Sequence, residues 1–303
     1  MKIIGAGLAG LICGSLNAQS TIYERNQSDF VEHKAVLRFR DEKIARALGL
    51  SFRKVTVRKA IWCWGEEVLP SPRFANWYST KVRGIVTENS LWNMAPSERY
   101  IAPEDLHAIL AEICGKRVHW GHAVGPTVLA ELLEGGEVVS TMPIVQLLIT
   151  LGIPEPFPFK YAPIFVDRYR IPECDVFQTI YFPDPNIGIY RATLTGNLLT
   201  IESTSFVSDT EFVMVEDAFG LEYKDAAEPL EANHRQSFGK IAPVHDGQRK
   251  ALLHRLTQEF GIYSLGRFAT WRNILLDDVY EDVAAIRRMM AQSHYDITLA
   301  RTK

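Results

Sequence analysis

The chain has 303 residues, of which 47% are hydrophobic and 23% charged, and a formal net charge of −3 at pH 7. This composition is typical of a globular protein with one large or two smaller domains, and it excludes a disordered or fibrous chain. Apolar stretches such as residues 143–153 fall short of the roughly 18 residues that span a bilayer, and the four widely spaced cysteines indicate free thiols in a reducing cytoplasm, without a disulfide framework or a metal site.

The first 24 residues predict a compact unit of strand, turn, helix and strand. Residues 2–4 are apolar, residues 8–16 have the small and apolar spacing of a helix packed closely on a sheet, and residues 21–24 have a second strand pattern. The turn between the first strand and the helix reads G-x-G-x-x-G and consists of Gly5, Ala6, Gly7, Leu8, Ala9 and Gly10.

This unit predicts a dinucleotide site. The first glycine permits a tight turn, the second lets the backbone approach a pyrophosphate, and the third allows the helix and the strand to pack closely. The pyrophosphate would lie at the helix N-terminus, where free N–H groups and the helix dipole favour negative charge. Glu24 ends the second strand and is placed to accept hydrogen bonds from a ribose diol, and its charge disfavours the 2′-phosphate of NADP.

A basic stretch follows this unit. Residues 34–83 carry a net charge of +8, which favours an anionic substrate. Within residues 33–40, Arg38 or Arg40 has two interpretations, a bidentate contact to phosphate or a solvated basic face. Aromatic residues are interleaved with the bases, a mixture that suits a nucleotide or a splayed-out nucleobase, whereas the alternation of a strand would place the same aromatics in the core. These aromatics are Phe52, Trp62, Trp64, Phe74, Trp77 and Tyr78.

The rest of the chain predicts an α/β fold in which a Rossmann-like domain is interrupted by an antiparallel sheet. We expect helices over 40–49, from Pro103, over 247–260 and over 277–292; strands over 53–69, 117–124, 136–141 and 262–265; a loop-rich excursion over 71–100; and antiparallel strands within 157–222. The nucleotide-binding domain would comprise residues 1–60, 101–150 and 260–303, and the inserted substrate domain residues 61–100 and 151–259.

Two further segments resemble the amine oxidase and UDP-galactopyranose mutase group of flavoproteins. Residues 137–143 (EVVSTMP) are similar to the strand that brings the chain back to the flavin in that group. Residues 266–272 (GRFATWR), followed by residues 276–279 (LDDV), resemble its second FAD motif, in which a Gly-Arg pair follows a short strand and an Asp-x-Val opens the last helix. Residues 107–124 resemble the segment whose backbone lies against the adenine.

The resemblance implies FAD as the cofactor, bound by a Rossmann-like FAD-binding domain. It implies that Arg267 lies near the pyrophosphate or the flavin, and that the start of the last helix faces the ribityl chain and the pyrimidine edge of the ring. A helix N-terminus there also offers free N–H groups to a flavin carbonyl. The predicted cofactor-binding residues are Gly5, Ala6, Gly7, Leu8, Ala9, Gly10, Glu24, Arg25, Arg38, Val124, Thr141, Met142, Gly266, Arg267, Leu276, Asp277, Asp278 and Val279.

For the activity we expect an FAD-dependent oxidoreductase that takes a hydride from a small anionic or amine-bearing substrate. One alternative is a flavin-dependent isomerase or lyase without net redox change, acting on a nucleotide sugar or a modified nucleobase, including one in nucleic acid. Another is a binding module that keeps FAD as a structural core. The candidate catalytic residues are Arg38, Tyr190 and Arg191, with structural packing as the alternative for each. Asn273 and Ile274 stand where the mutases have paired tyrosines, so the resemblance does not imply mutase activity.

Overall fold

The computed structural model describes residues 1–28, 36–86, 90–221 and 227–301, with backbone alone at Ser90 and from residue 293 onward. The basic stretch is therefore described only from residue 36, and residues 33–35 lie outside the described residues. In chain order the strands are β1 (Lys2–Ile4), β2 (Thr21–Tyr23), β3 (Arg38–Phe39), β4 (Arg53–Cys63), β5 (Glu66–Glu67), β6 (Ser97–Ile101), β7 (Val118–His119), β8 (Val138–Ser140), β9 (Tyr161–Arg170), β10 (Val176–Tyr181), β11 (Ile189–Gly196), β12 (Leu198–Ser203), β13 (Glu228–Ile241) and β14 (Ile262–Ser264). The helices are α1 (Leu8–Ser15), α2 (Lys43–Leu48), α3 (Pro72–Arg83), α4 (Leu106–Cys114), α5 (Pro126–Glu134), α6 (Ile144–Leu151), α7 (Asp209–Phe219), α8 (Asp246–Phe260) and α9 (Leu276–Arg301).

The first sheet consists of five parallel strands in the spatial order β14-β8-β1-β2-β7. Because all five strands run the same way, their carboxyl ends meet at one edge of the sheet. The glycine-rich turn after β1, Glu24 after β2 and Thr141 after β8 share this edge. In open α/β sheets this is the edge at which ligands bind.

Helices cover both faces of the first sheet. Alternation along β1 sends Ile3 into a cluster with α1, α4 and α9, and Ile4 into a second cluster with α5, α6 and α8. Both side chains are buried, Ile3 completely. The strands of the first sheet therefore have a packed apolar layer on either side.

The second sheet has nine strands, in the order β13-β9-β12-β11-β10-β4-β6-β3, with β5 paired to β4. Its neighbours are antiparallel except for β10 and β4. Helix α7 packs on one face through Val215, and helix α3 packs on the other through Ala75, Tyr78 and Val82. The second sheet is thus the antiparallel-rich sheet that the sequence predicted over residues 157–222, extended at both ends.

Helix α3 corrects the prediction of a loop-rich excursion over residues 71–100. Ser71 caps the helix by accepting a hydrogen bond from the Phe74 N–H at 3.4 Å, Pro72 occupies its first turn, and Gly84 ends it in the left-handed conformation. These are ordinary helix-boundary signals. Ser, Pro and Gly also favour turns, so the sequence pattern alone does not distinguish this helix from a loop.

Other predicted elements differ in extent. The strand predicted over 117–124 covers only Val118–His119, helix α7 lies within the segment predicted as antiparallel sheet, and the long strand β13 was not predicted. The division into two domains remains a prediction, although β4 continues through its boundary at residue 60 and α8 packs on the first sheet.

Among the described residues, no helix combines the length and the hydrophobicity needed to cross a membrane. All four cysteines are free thiols, and three of them are buried.

Candidate functional site

The three glycines of the turn after β1 have different surroundings. Gly5 adopts φ +97° and donates its N–H to the Tyr23 carbonyl at 2.8 Å. A Cβ on Gly10 would lie 1.9 Å from the Gly5 carbonyl oxygen, so the helix packs against the turn without space for a side chain. A Cβ on Gly7 would meet no atom of the described residues within 4 Å. Two glycines thus serve packing, whereas the third faces open space.

The open glycine lies at the N-terminus of α1. Gly7 is the N-cap of this eight-residue helix, and among the described residues no side chain caps it. The first turn contains no acid, so the N–H groups there and the positive end of the helix dipole are available to a bound anion. His107 of α4 contacts the carbonyl oxygen of the neighbouring Ala6 through Nε2, 3.0 Å away, and so holds the turn from outside.

Glu24 lies beside this turn with its carboxylate oriented by two backbone groups. It accepts hydrogen bonds from the N–H of Ala6 at 2.7 Å and of Asn26 at 2.9 Å, and its side chain is largely buried. A carboxylate fixed in this way at the end of β2 can still accept a further hydrogen bond from a ligand hydroxyl on its free lone pairs. The neighbouring Arg25 is exposed.

The C-terminal motif meets the glycine-rich turn. Leu265, after β14, donates its N–H to the Ser140 carbonyl at 2.9 Å, and Thr141 after β8 donates its hydroxyl to Ile4 at 2.8 Å. Gly266 adopts φ +93°, and a Cβ on it would lie 2.9 Å from the Cβ of Ala9 in α1. Two segments about 260 residues apart are therefore in direct contact. Met142 packs beside them in the cluster around α6.

The start of α9 forms the other end of this region. Asp277 is buried and accepts the Arg40 backbone N–H at 2.9 Å through Oδ1, while Oδ2 is ion-paired with the Arg40 side chain at 3.5 Å from Nε. Asp278 accepts the Leu275 N–H at 2.8 Å, which caps the helix. Val279 is part of the core and Leu276 is half-buried against it. The carboxylate of Asp277 therefore joins residue 40 to the start of α9, and its Oδ2 retains lone pairs that could accept a hydrogen bond from a ligand.

Arg267 connects the two sheets. Its Nη2 donates to the Gly239 carbonyl at 3.4 Å and to Asn273 Oδ1 at 3.2 Å, and its Nε has no acceptor among the described residues. Trp271, which is buried in the left-handed conformation, donates its indole N–H to the Ala242 carbonyl at 3.0 Å. Burial lowers the pKa of Arg267. The predicted motif is thus attached to the end of β13, at the junction of the first and second sheets.

A charged group on the second sheet faces this junction. Arg191 on β11 is ion-paired with Glu202 on β12, and the Tyr190 hydroxyl donates to the same carboxylate at 3.0 Å. The ammonium of Lys240 on β13 lies 4.3 Å from the centre of the Tyr190 ring. Burial alone would raise the pKa of Glu202, but the charges of Arg191 and Lys240 lower it to about 2. We call Arg191, Glu202, Lys240 and Arg267 the cationic cluster.

Aromatic side chains border the cationic cluster. The ring of Tyr78 on α3 packs edge-on against Tyr181 at 5.5 Å and against Tyr190 at 6.2 Å between ring centres. Burial raises the pKa of both Tyr78 and Tyr190, so their hydroxyls stay protonated. The cluster therefore has two arginines and one lysine against one carboxylate, with neutral hydroxyls at its border, and its charge balance favours an anionic ligand.

The sequence pointed to Tyr190, Arg191 and Arg267 but not to Glu202 and Lys240, which the structure places beside them. Glu202 carried one signal, since this charged residue directly follows the mostly apolar residues 198–201. Lys240 carried none, because Tyr190 is brought to it by strand pairing in the second sheet and Arg267 by the packing of the two sheets, and neither is a local sequence feature.

The side chain of Arg38, predicted to contact a phosphate of the cofactor, is hydrogen-bonded to the second sheet instead. Its guanidinium extends into the second sheet and donates to Thr179 Oγ1 at 2.7 Å, to the Leu194 carbonyl at 2.5 Å and to Thr195 Oγ1 at 2.9 Å. Burial lowers its pKa to about 9. These contacts join the end of the nucleotide-binding segment to the hairpin of β10 and β11. Val124, predicted near the adenine, lies in the loop before α5 and is half-buried.

The aromatic residues of the basic stretch divide into two groups. Phe52, Phe74 and Tyr78 are buried, in line with the interpretation that places them in the core. Trp64 is 57% exposed, and the Arg73 guanidinium lies 5.0 Å from its ring and 4.2 Å from that of Trp77. The exposed Trp64 and the half-buried Trp77 thus already contact an arginine of the same chain. Among the described residues, no group of three His, Cys, Asp or Glu side chains is arranged to hold a metal.

Comparison with known proteins finds similarity in structure only. No family model matches the sequence, and no curated protein matches it. The structure of a reduced UDP-galactopyranose mutase superposes with a TM-score of 0.64 at 13% identity, over 96% of this chain and 93% of the mutase. A geranylgeranyl bacteriochlorophyll reductase-like protein from Thermoplasma acidophilum gives a TM-score of 0.51 at 13% identity, over 99% of this chain and 83% of that protein. The chain therefore has the fold of these two proteins, which is the fold that its N- and C-terminal motifs predicted.

Proposed function

We propose that the protein is an FAD-dependent enzyme that oxidises a small anionic substrate at the junction of its two sheets. The observation that carries the proposal is the open, uncapped N-terminus of α1 at Gly7, in contact through Ala9 with the second motif at Gly266. A pyrophosphate fits a helix end of this kind, and the cationic cluster lies at the side of Arg267 that the substrate would approach.

The residues fit FAD along the whole edge of the first sheet. Gly7 admits the pyrophosphate because the space beside it is open. Glu24 would accept the ribose hydroxyls, its carboxylate being already oriented by Ala6 and Asn26. The N-terminus of α9 and the buried guanidinium of Arg267, whose Nε has no acceptor among the described residues, would hold the flavin end. When bound, FAD supplies a two-electron acceptor for a hydride from the substrate.

The cationic cluster would bind the substrate. Arg191 is held in place by Glu202, which also orders Tyr190, so its guanidinium is presented with little loss of side-chain entropy. Lys240 and Arg267 add positive charge, and among the described residues neither forms an ion pair with a carboxylate. An anionic group of the substrate would provide that missing counter-charge and orient the rest of the molecule.

A second candidate function is an isomerisation or elimination without net redox change, on a nucleotide sugar or a modified nucleobase. The match to a UDP-galactopyranose mutase over nearly the full length of both chains favours it. The basic residues and the anionic character expected of the substrate are common to both candidates. The two differ in whether an electron acceptor is consumed.

Anaerobic mixing separates the candidates. FAD-loaded protein is mixed with a panel of small carboxylates, amino acids and phosphate esters, and the yellow absorbance of the oxidised flavin is followed. Bleaching by one substrate, with an oxidised product, supports the oxidoreductase. Product formed by reduced protein without any acceptor supports the alternative, and no reaction in either format contradicts the proposed activity.

A matched pair of variants tests the substrate site. Arg191→Lys keeps the charge beside Glu202 but removes the planar guanidinium, and we expect the KM for the anionic substrate to rise at least tenfold, a loss of about 1.4 kcal/mol in binding. Arg235→Lys, an exposed position on β13, should leave KM unchanged. Equal KM values for the two variants would remove Arg191 from the substrate site.

A further inference from the structure

We propose that Lys240 is a proton-dependent part of the substrate site: its amine takes up one proton from solvent when the anionic substrate binds, so affinity for the anion falls as the pH rises above neutral. The inference deepens the proposed function and rests on it, since it assumes that the anion binds beside Arg191 and Arg267. It assigns a specific role to a residue that the sequence did not single out.

The backbone directs the Lys240 side chain into the cluster. Lys240 pairs with Ala162 of β9, just after an irregularity in the strand pairing between Gln236 and Lys240. A Cβ on the preceding Gly239 would lie 2.4 Å from the side chain of Ile164, so the two strands pack there without space for a side chain. The ammonium then lies 4.3 Å from the Tyr190 ring centre, on the side of the sheet that also carries Arg191.

The charges around Lys240 come from every neighbouring element. Arg191 on β11, Arg267 after β14 and Arg83 on α3 are cations that disfavour its protonation, and Glu202 on β12 is the carboxylate that favours it. That carboxylate already accepts from Arg191 and Tyr190. Arg191 and Arg267 alone already outnumber the carboxylate of Glu202, so the ammonium form of Lys240 shares its one nearby counter-anion with Arg191.

Burial and, secondly, the charge of Arg191 lower the pKa of Lys240 to about 7. The unliganded protein thus carries a mixture of amine and ammonium at neutral pH. A bound anion favours the ammonium and raises this pKa. By linkage, binding then takes up a proton wherever the two pKa values bracket the pH, and affinity falls by up to about tenfold per pH unit above 7.

Sulfate is a suitable probe because its charge is constant from pH 6.5 to 8.5, a range set on either side of a pKa of about 7. Its Kd is measured by calorimetry on FAD-loaded protein at both pH values and at constant ionic strength. We expect the Kd for sulfate to be about tenfold larger at the higher pH, by the same linkage. Repeating the titration in two buffers of different ionisation enthalpy should show net proton uptake.

Three variants assign the effect to Lys240. Lys240→Arg keeps the positive charge at every pH used, so sulfate affinity should become independent of pH at the stronger value. Lys240→Met should bind weakly at both pH values, and its fold is checked by circular dichroism. Lys160→Met, at an exposed lysine before β9, should retain the wild-type pH dependence.

The outcomes separate this inference from the function on which it rests. Equal Kd values at the two pH values in the wild type, or a pH dependence that survives in Lys240→Arg, overturn the role of Lys240 and leave the anion site intact. An absence of sulfate binding at either pH overturns both the role of Lys240 and the proposed anion site.

Discussion

The substitution Gly10→Ala tests how closely α1 packs on the turn that precedes it. The added Cβ would lie 1.9 Å from the Gly5 carbonyl oxygen and 3.0 Å from its carbonyl carbon, and both are backbone atoms that cannot rotate away. An ordinary contact requires the two segments to separate by about 1.5 Å. Leu11 and Ile12, both fully buried, prevent α1 from moving as a unit.

The expected cost follows from two opposing effects. Overpacking of this kind destabilises by about 1–3 kcal/mol, and a backbone collision belongs at the upper end or above. Alanine gains about 1 kcal/mol over glycine in a helix interior. We therefore expect Gly10→Ala to lower the free energy of unfolding by about 2 kcal/mol or more.

Urea unfolding of the FAD-free protein measures this loss, since it excludes any contribution from ligand binding. Gly7→Ala is the control, because its Cβ meets none of the described atoms within 4 Å and its φ of −66° suits alanine. Its unfolding free energy should stay within about 0.5 kcal/mol of the wild type. A Gly10→Ala protein as stable as the wild type would refute the close contact between α1 and the turn.

Three further predictions concern the second sheet and its attachments. Ser208→Ala removes the capping box of α7, in which Ser208 and Glu211 each accept the other's N–H, and should cost about 0.5–2 kcal/mol in urea unfolding. Because the pKa of Glu202 is lowered from 4.5 to about 2, its stabilising contribution is complete above pH 4.5 and is lost as the pH falls towards 2. The free energy of unfolding should therefore fall less steeply with acid in Glu202→Gln than in the wild type. An unchanged pH profile would count against the pairing of Glu202 with Arg191. Trp271→Phe removes the hydrogen bond to the Ala242 carbonyl and should cost about 1 kcal/mol, whereas no loss would show that this bond does not help join the two sheets.

The parts of the fold that the sequence predicted are those whose signals are local. The opening strand, the glycine-rich turn and the helix lie within 16 residues, and each glycine has a steric reason that can be stated without the structure. The motif at Gly266 was found because its pattern is short and continuous. Both therefore appear in the structure at the expected edge of the first sheet.

The substrate side was less predictable because its residues are brought together by strand pairing. Lys240 meets Tyr190 through the order β13-β9-β12-β11 and Arg267 through the junction of the two sheets, and no local pattern encodes either approach. Arg38 illustrates the same limit, since a basic residue after β2 suits a phosphate contact but its guanidinium extends into the β10 and β11 hairpin. For both Lys240 and Arg38 the sequence shows a basic side chain but does not show which residues that side chain contacts.

Binding of the FAD pyrophosphate at the helix end at Gly7 can be tested with a pair of glycine variants. Gly7 and Gly125 are both N-cap glycines, of α1 and α5, with negative φ and no described atom within 4 Å of an added Cβ. We expect the wild type and Gly125→Ala to take up one FAD per chain with equal affinity, and Gly7→Ala to bind at least tenfold more weakly, about 1.4 kcal/mol, in a titration followed by flavin fluorescence. A wild-type protein that takes up no FAD, or a Gly7→Ala variant that binds it as tightly as the wild type, would contradict the claim.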